Sequence, residues 1–166
     1  MSAIITDNGH VLSAQSFMSK DKYYFKLGKD AAWISDPQTP TPSSDVTTLV
    51  GAKRVSRKAY VVEHEEGTIQ YLGKKYKEVD PANIFTENAH CVYLHAQIAD
   101  GDFVPGTEYN QLVLSTNLVT ATGKEDAYTL LPADIKNQGN TIMCDYRRSV
   151  IIDENSLIDL TLILEF

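Results

Sequence analysis

The sequence predicts a mainly β fold, an antiparallel β-sandwich with one or two short helices. Two observations lead there. From residue 57 onward, short runs rich in Val, Ile, Tyr, Leu and Thr alternate with Gly-, Pro- and Asp-containing turns. The clearest run, Cys91 to Ile98, puts Val92, Leu94, Ala96 and Ile98 on one face, as a half-buried strand requires. At 166 residues the chain fits a single domain over 1–166. A core of that size needs no disulfide or metal to fold.

The elements follow in order. Val11, Ala14 and Met18 fall three to four apart after Asp7-Asn8-Gly9, so a short helix is expected there, with Asp7 or Asn8 as its cap. Tyr23 to Leu27 reads as an aromatic strand ended by Gly28. Residues 31–45 hold Trp33, Pro37, Pro40 and Pro42. Proline lacks the backbone donor that a helix or ladder uses, so this stretch is expected to be an extended, polyproline-like arm anchored by Trp33. A short helix over Val46 to Val50 is expected next, capped by Ser44 or Asp45 and stopped by Gly51. Strands follow at Ala59 to Glu63, Thr68 to Leu72 and Tyr76 to Val79, then at Cys91 to Ile98 and Tyr109 to Leu118. Residues 119–138 are polar and read as a long loop. Asn140 to Tyr146 resumes a strand, Arg147-Arg148 lies between strands, and Leu157 to Phe166 closes the sheet as an inner strand.

Composition narrows the function. The net charge is −7, which disfavours a general nucleic-acid binder. The one basic cluster, Lys53, Arg54, Arg57 and Lys58, reads as a solvated face or a match for acidic groups on a protein, with an anion site as the sharper alternative. No apolar run is long enough to span a membrane and no basic, apolar leader opens the chain. Cys91 and Cys144 sit in apolar runs and read as buried, reduced, inert thiols. His90 and His95 are five apart, which sends them to opposite faces of a strand. Cys91 and His95 share a face but stand about 13 Å apart, too far for one metal. No nucleophile elbow, Walker loop or dinucleotide fingerprint is present. The acids Glu65-Glu66, Asp100 and Asp102, and Asp153-Glu154 all fall in turns, where exposure is the default. The expectation is therefore a protein with no enzymatic activity and no cofactor.

One further pattern is more specific. Ala3-Ile4-Ile5-Thr6 precedes the helical stretch. The aromatic strand ending in Gly28 leads to Trp33, Pro37, Pro40, Pro42 and Asp45, then to Lys53-Arg54-Val55 and the strand Ala59 to Val62. Met143, Arg147-Arg148, Val150 to Asp153 and the strand Leu160 to Phe166 close the chain. This order resembles, in shortened form, the β-sandwich wedge-bridging protein of the baseplates of T-even-like, contractile-tailed bacteriophages. The resemblance covers residues 3–62 and 140–166. The long insertions of the T-even protein are absent here. The resemblance implies a structural virion subunit of the tail baseplate, made in the host cytoplasm, that bridges neighbouring wedge proteins as a homodimer. Attachment of tail fibres or of a receptor-binding protein is the alternative it leaves open. Its implied partners are other baseplate wedge or tail proteins, with tail-fibre proteins as a further set, and neither nucleic acid nor membrane. Arg and aromatic side chains anchor interfaces, and proline loses little entropy on docking. The interface candidates are accordingly Trp33, Pro37, Pro40, Pro42, Arg147, Arg148 and Phe166, with at least one of the two arginines expected to bond a carboxylate within the dimer or on a neighbour.

Overall fold

The structure, a computed structural model, describes residues 3–32 and 37–166. It is mainly β, with antiparallel sheets and one α-helix, consistent with a β-sandwich-like fold. The chain divides into two compact units, one of Met1–Asp21, Ser56–His95 and Thr161–Phe166, the other of Lys22–Val55 and Ala96–Leu160.

The first unit opens with α1 (Asp7–Met18), which buries Val11 and Ala14. Its cap is Thr6, whose Oγ1 accepts the Gly9 N–H, one residue ahead of the expected Asp7 or Asn8. Thr6 has the extended backbone an N-cap needs, whereas Asp7 is already helical. At the other end the Lys58 ammonium donates to the Met18 and Lys20 carbonyls, a cation on the negative end of the helix. The meander then runs through β3 (Arg57–Glu63), β4 (Ile69–Tyr71) and β5 (Lys74–Val79). With β6 (Cys91–Ile98) and β12 (Ile158–Glu165) these form a five-stranded sheet of order β12-β6-β3-β5-β4. Val92, Leu94, Ala96 and Ile98 of β6 are all fully buried, as their alternation predicts. On the other face of this sheet Val61, Tyr76, Cys91 and Tyr93 make a core cluster, joined by Ala59, Ile69, Tyr71 and Ile163.

The second unit is built on a five-stranded sheet of order β11-β7-β1-β2-β9. Its strands are β1 (Tyr23–Lys29), β2 (Thr48–Arg54), β7 (Thr107–Thr116), β9 (Thr129–Leu130) and β11 (Asn140–Ile152). β8 (Val119–Thr120) and β10 (Ile135–Asn137) pair as a small separate ribbon. β1 and most of β7 are buried on both faces, which their mixed sequence does not announce, because Lys26, Asn110 and Gln111 interrupt the apolar residues.

Four expectations are corrected. The helix over 46–50 is instead the approach to β2, since β-branched Val46, Thr47, Thr48 and Val50 favour a strand. Gly51 lies inside that strand; a Cβ there would come within 2.6 Å of the Phe103 ring. The strand Tyr23 to Leu27 does not end at Gly28 but continues to Lys29 through a bulge. Residues 119–138 are no plain loop: they carry β8, β9, a short 3-10 turn and β10. Arg147 and Arg148 lie within the 13-residue β11, at a register shift between Tyr146 and Val150, and not between two strands.

Candidate interaction surface

The described part of the proline-rich arm, residues 37–45, carries no helix or strand of its own. What fixes it is polar chemistry on one face of the second unit's sheet. Register pairs Lys26 on β1 with Val113 on β7 and Ala52 on β2, so its side chain shares a face with theirs. Lys26 is completely buried, and its ammonium donates to Asp45 Oδ1 at 2.6 Å and to Thr141 Oγ1 at 3.3 Å. A buried ammonium is costly unless paired, so this contact decides where the arm can end. Burial pushes the Asp45 carboxyl upward. Bonds from Lys26, the Val46 N–H and Thr141, together with the Lys26 charge, outweigh it and hold Asp45 below its ordinary value.

The neighbouring strands complete the clasp. Tyr146 Oη on β11 donates to the Asp45 carbonyl at 2.7 Å, and Cys144 Sγ donates to the Ser44 carbonyl at 3.0 Å. On β7, Gln111 accepts the Thr47 N–H at 2.7 Å and donates to Thr47 Oγ1 at 2.9 Å. Asn110 bonds both the N–H and the carbonyl of Asp30 at 2.8 Å. These two buried amides are thereby satisfied. Gly28 makes room for the clasp, because a Cβ there would lie 2.6 Å from both Gln111 Oε1 and the Val46 side chain. Within the arm, Ser44 Oγ accepts the Thr41 N–H at 2.8 Å while its own N–H donates to the Thr41 carbonyl at 2.9 Å. Between the arm (Pro40 to Asp45) and the start of β11 (Gly139 to Cys144) lies an open cleft of about 550 Å³.

The sequence-predicted residues distribute unevenly over this surface. Pro40 and Pro42 line the cleft, Pro37 is half-buried, and Pro42 is exposed. Trp33 falls outside the described residues. Arg147 is paired with Asp145 of its own strand, and Arg148 is exposed. Phe166 belongs to the first unit, where its ring packs against Phe17 at 5.1 Å and its N–H donates to the His90 carbonyl. Sequence reasoning missed Lys26, Asp45 as its partner, Gln111 and Asn110. The available signal was a lysine at the fourth position of the aromatic and aliphatic run Tyr23 to Leu27.

The basic cluster divides, with Arg57 exposed and Lys53 buried. Lys53 is buried in an ion pair with Asp102 at 2.7 Å and donates to Thr129 at 2.8 Å. Arg54 stacks 5.1 Å over the Tyr128 ring, Arg57 pairs with Glu78, and Lys58 serves the helix end. Asp102, expected to be an exposed turn acid, is the mostly buried partner of Lys53.

Chemistry at the thiols is quiet. Burial pushes the Cys91 thiol up to about 11, with nearby Glu165 adding to it, and burial beside Asp45 raises Cys144 as well. Both stay protonated at neutral pH and are poor nucleophiles. Among the described residues no group of three or more His, Cys, Asp or Glu is placed to hold a metal ion. The surface holds residues 44–47 of its own chain in one shape.

A family model described as "Baseplate wedge 3 tail fiber network component" matches residues 2–166. The chain belongs to this family. A search of curated proteins found no match. As a baseplate wedge component the chain has a structural role in the phage tail baseplate and interacts with other baseplate or tail proteins. The match covers the two ends from which the resemblance was drawn and the middle between them.

Proposed function

We propose that this wedge component is a non-catalytic bridge between neighbouring wedge proteins of a contractile phage tail, made in the host cytoplasm and acting as a homodimer. The observation that carries the reading is the clasped arm. The ion pair of buried Lys26 with Asp45 and the bonds around it fix residues 44–47 against three strands, while Thr41, Pro42 and Ser43 stay exposed. A segment already held in its bound shape loses little entropy when a neighbour covers it. Pro37, Pro40, Pro42 and Arg148 are the side chains we assign to that contact. Arg147 contributes by fixing Asp145, and Phe166 by closing the first unit against Phe17. Light scattering on the purified protein is expected to give the mass of a dimer. A trimer would contradict this and favour the second reading, an attachment module for tail fibres or a receptor-binding protein. The family's own description, which names a tail fiber network, is what keeps that second reading in play.

A further inference from the structure

The β4–β5 hairpin of the first unit carries a turn that its own fold does not explain. Tyr71 pairs with Lys74, so the loop is the two residues Leu72 and Gly73. Both have positive φ, 48° and 81°. Two such residues make the mirror-image turn that suits hairpin twist, and its first position normally holds Asn, Asp or Gly. A leucine there is strained, because its Cβ crowds the backbone in the left-handed region. Packing within the chain does not compensate, since Leu72 is 85% exposed. Strain combined with an exposed aliphatic group is a cost to the isolated protein, which points to a contact made elsewhere.

The base beneath the tip is firm. Ile69 and Tyr71 pack on the Val61, Tyr76, Cys91 and Tyr93 cluster. At the preceding turn Gly67 lies so close to Tyr76 that a Cβ would come within 2.4 Å of its backbone. Beside the tip, Lys74 and Lys75 stand with Glu63 and Glu65. Lys74 is held by Glu63 at 2.6 Å, and exposed Lys75 takes part in no ion pair among the described residues. We infer that Leu72 is a knob that seats in an apolar socket rimmed by Asp or Glu on a different tail protein, with Lys75 meeting the acidic rim. Tip-to-tip contact with a second copy would set Lys75 against Lys75, which disfavours that contact. The inference rests on membership in the baseplate family and is independent of the bridging arm.

The test uses the full chain supplied in trans to a phage lacking its own copy. Leu72→Asn suits the turn and removes the knob. Its expected signature is a melting temperature raised by about 2–4 °C with incorporation into purified particles down by about tenfold or more. Lys75→Glu should melt like the wild type and lose incorporation too. A diazirine-bearing aliphatic side chain at position 72 should photocross-link, in assembled particles, to an apolar site flanked by acids on another tail protein. Wild-type incorporation of Leu72→Asn, a lowered melting temperature for it, or adducts confined to a second copy of this chain would each overturn the proposal. Wild-type chain absent from particles would sink the baseplate reading along with it, whereas a dimer that fails to bridge would leave the knob standing.

Discussion

Removal of residues 159–166 is expected to leave an insoluble chain. The segment takes away Leu160 and Leu162, exposed to only 1% and 4%, along with Ile163, which packs on the Val61 cluster, and Phe166, which packs on Phe17. Burying one large apolar side chain contributes about 1.5–3 kcal/mol. The loss therefore reaches about 5 kcal/mol or more, against a net stability of about 5–15 kcal/mol for a whole domain. The strand was expected to be an inner one; β12 is in fact at the edge of its sheet, next to β6. That correction changes the mechanism and keeps the outcome. Without β12, the apolar β6 becomes an unprotected edge, and such edges recruit other chains. Expression of the truncated chain, followed by a melt of any soluble fraction, checks this. A soluble product with a cooperative transition would contradict it.

Asp102→Ala is the second large effect. Lys53 and Asp102 have side chains 8% and 19% exposed, and their ion pair is completed by Thr129, which donates to Asp102 at 2.5 Å. Removing the carboxylate strands an ammonium away from water, which typically costs about 3–5 kcal/mol. Replacing both partners with apolar residues, as in Lys53→Met with Asp102→Leu, is expected to recover most of the loss, because the penalty lies in the orphaned charge. Denaturation in urea reads both variants, and a single variant within about 0.5 kcal/mol of wild type would show the pair to be unimportant. The pH dependence has a definite sign. Burial raises the Asp102 carboxyl, but the Ala99 N–H, Lys53 and Thr129 bonds and the Lys53 charge bring it below its ordinary value. A carboxyl lowered in the folded state stabilises above its unfolded value, about 3.9, and that contribution is lost as pH falls through the folded value. Asp45 is lowered in the same direction by Lys26, so both units of charge chemistry in this sheet fail together in acid and hold at neutral pH.

What the sequence disclosed was governed by periodicity. β6 was readable because Val92, Leu94, Ala96 and Ile98 alternate without exception, and all four are buried. The meander of β3, β4 and β5 was readable from its glycine turns for the same reason. β1 and β7 were recognisable as strands, but their burial on both faces was not, since Lys26, Asn110 and Gln111 look like solvent-facing residues. Only the fold reveals that each has a partner brought from far along the chain: Asp45, Asp30 and Thr47. Long-range polar pairing leaves no local periodicity to read.

The same limit explains the errors. A lone Ser44-Asp45 pair before Val46 suggested a helix cap, yet the carboxylate is engaged by a lysine 19 residues away and the β-branched run proceeds as a strand. Lys53 to Lys58 looked like one charged patch because charge is visible in sequence and its neutralisation is not. Each of its cations turned out to have its own acid, ring or carbonyl partner. The absence of helix and strand over residues 37–45 was legible, because prolines forbid regular structure, whereas the turn closed by the Ser44 N–H on the Thr41 carbonyl was not. Leu72 was read as the end of a strand but lies in the turn after Tyr71, since a leucine followed by glycine is ordinary until the backbone shows which sign of φ it must adopt.

The central claim, that a clasped arm joins neighbouring wedge proteins, is tested most directly by cryo-electron microscopy of the intact tail tip. The expected map shows this chain built into the baseplate, with residues 37–45 covered by at least one neighbour and contacts to two different chains. A finished baseplate that lacks the chain, or holds it with the arm facing solvent, would contradict the account.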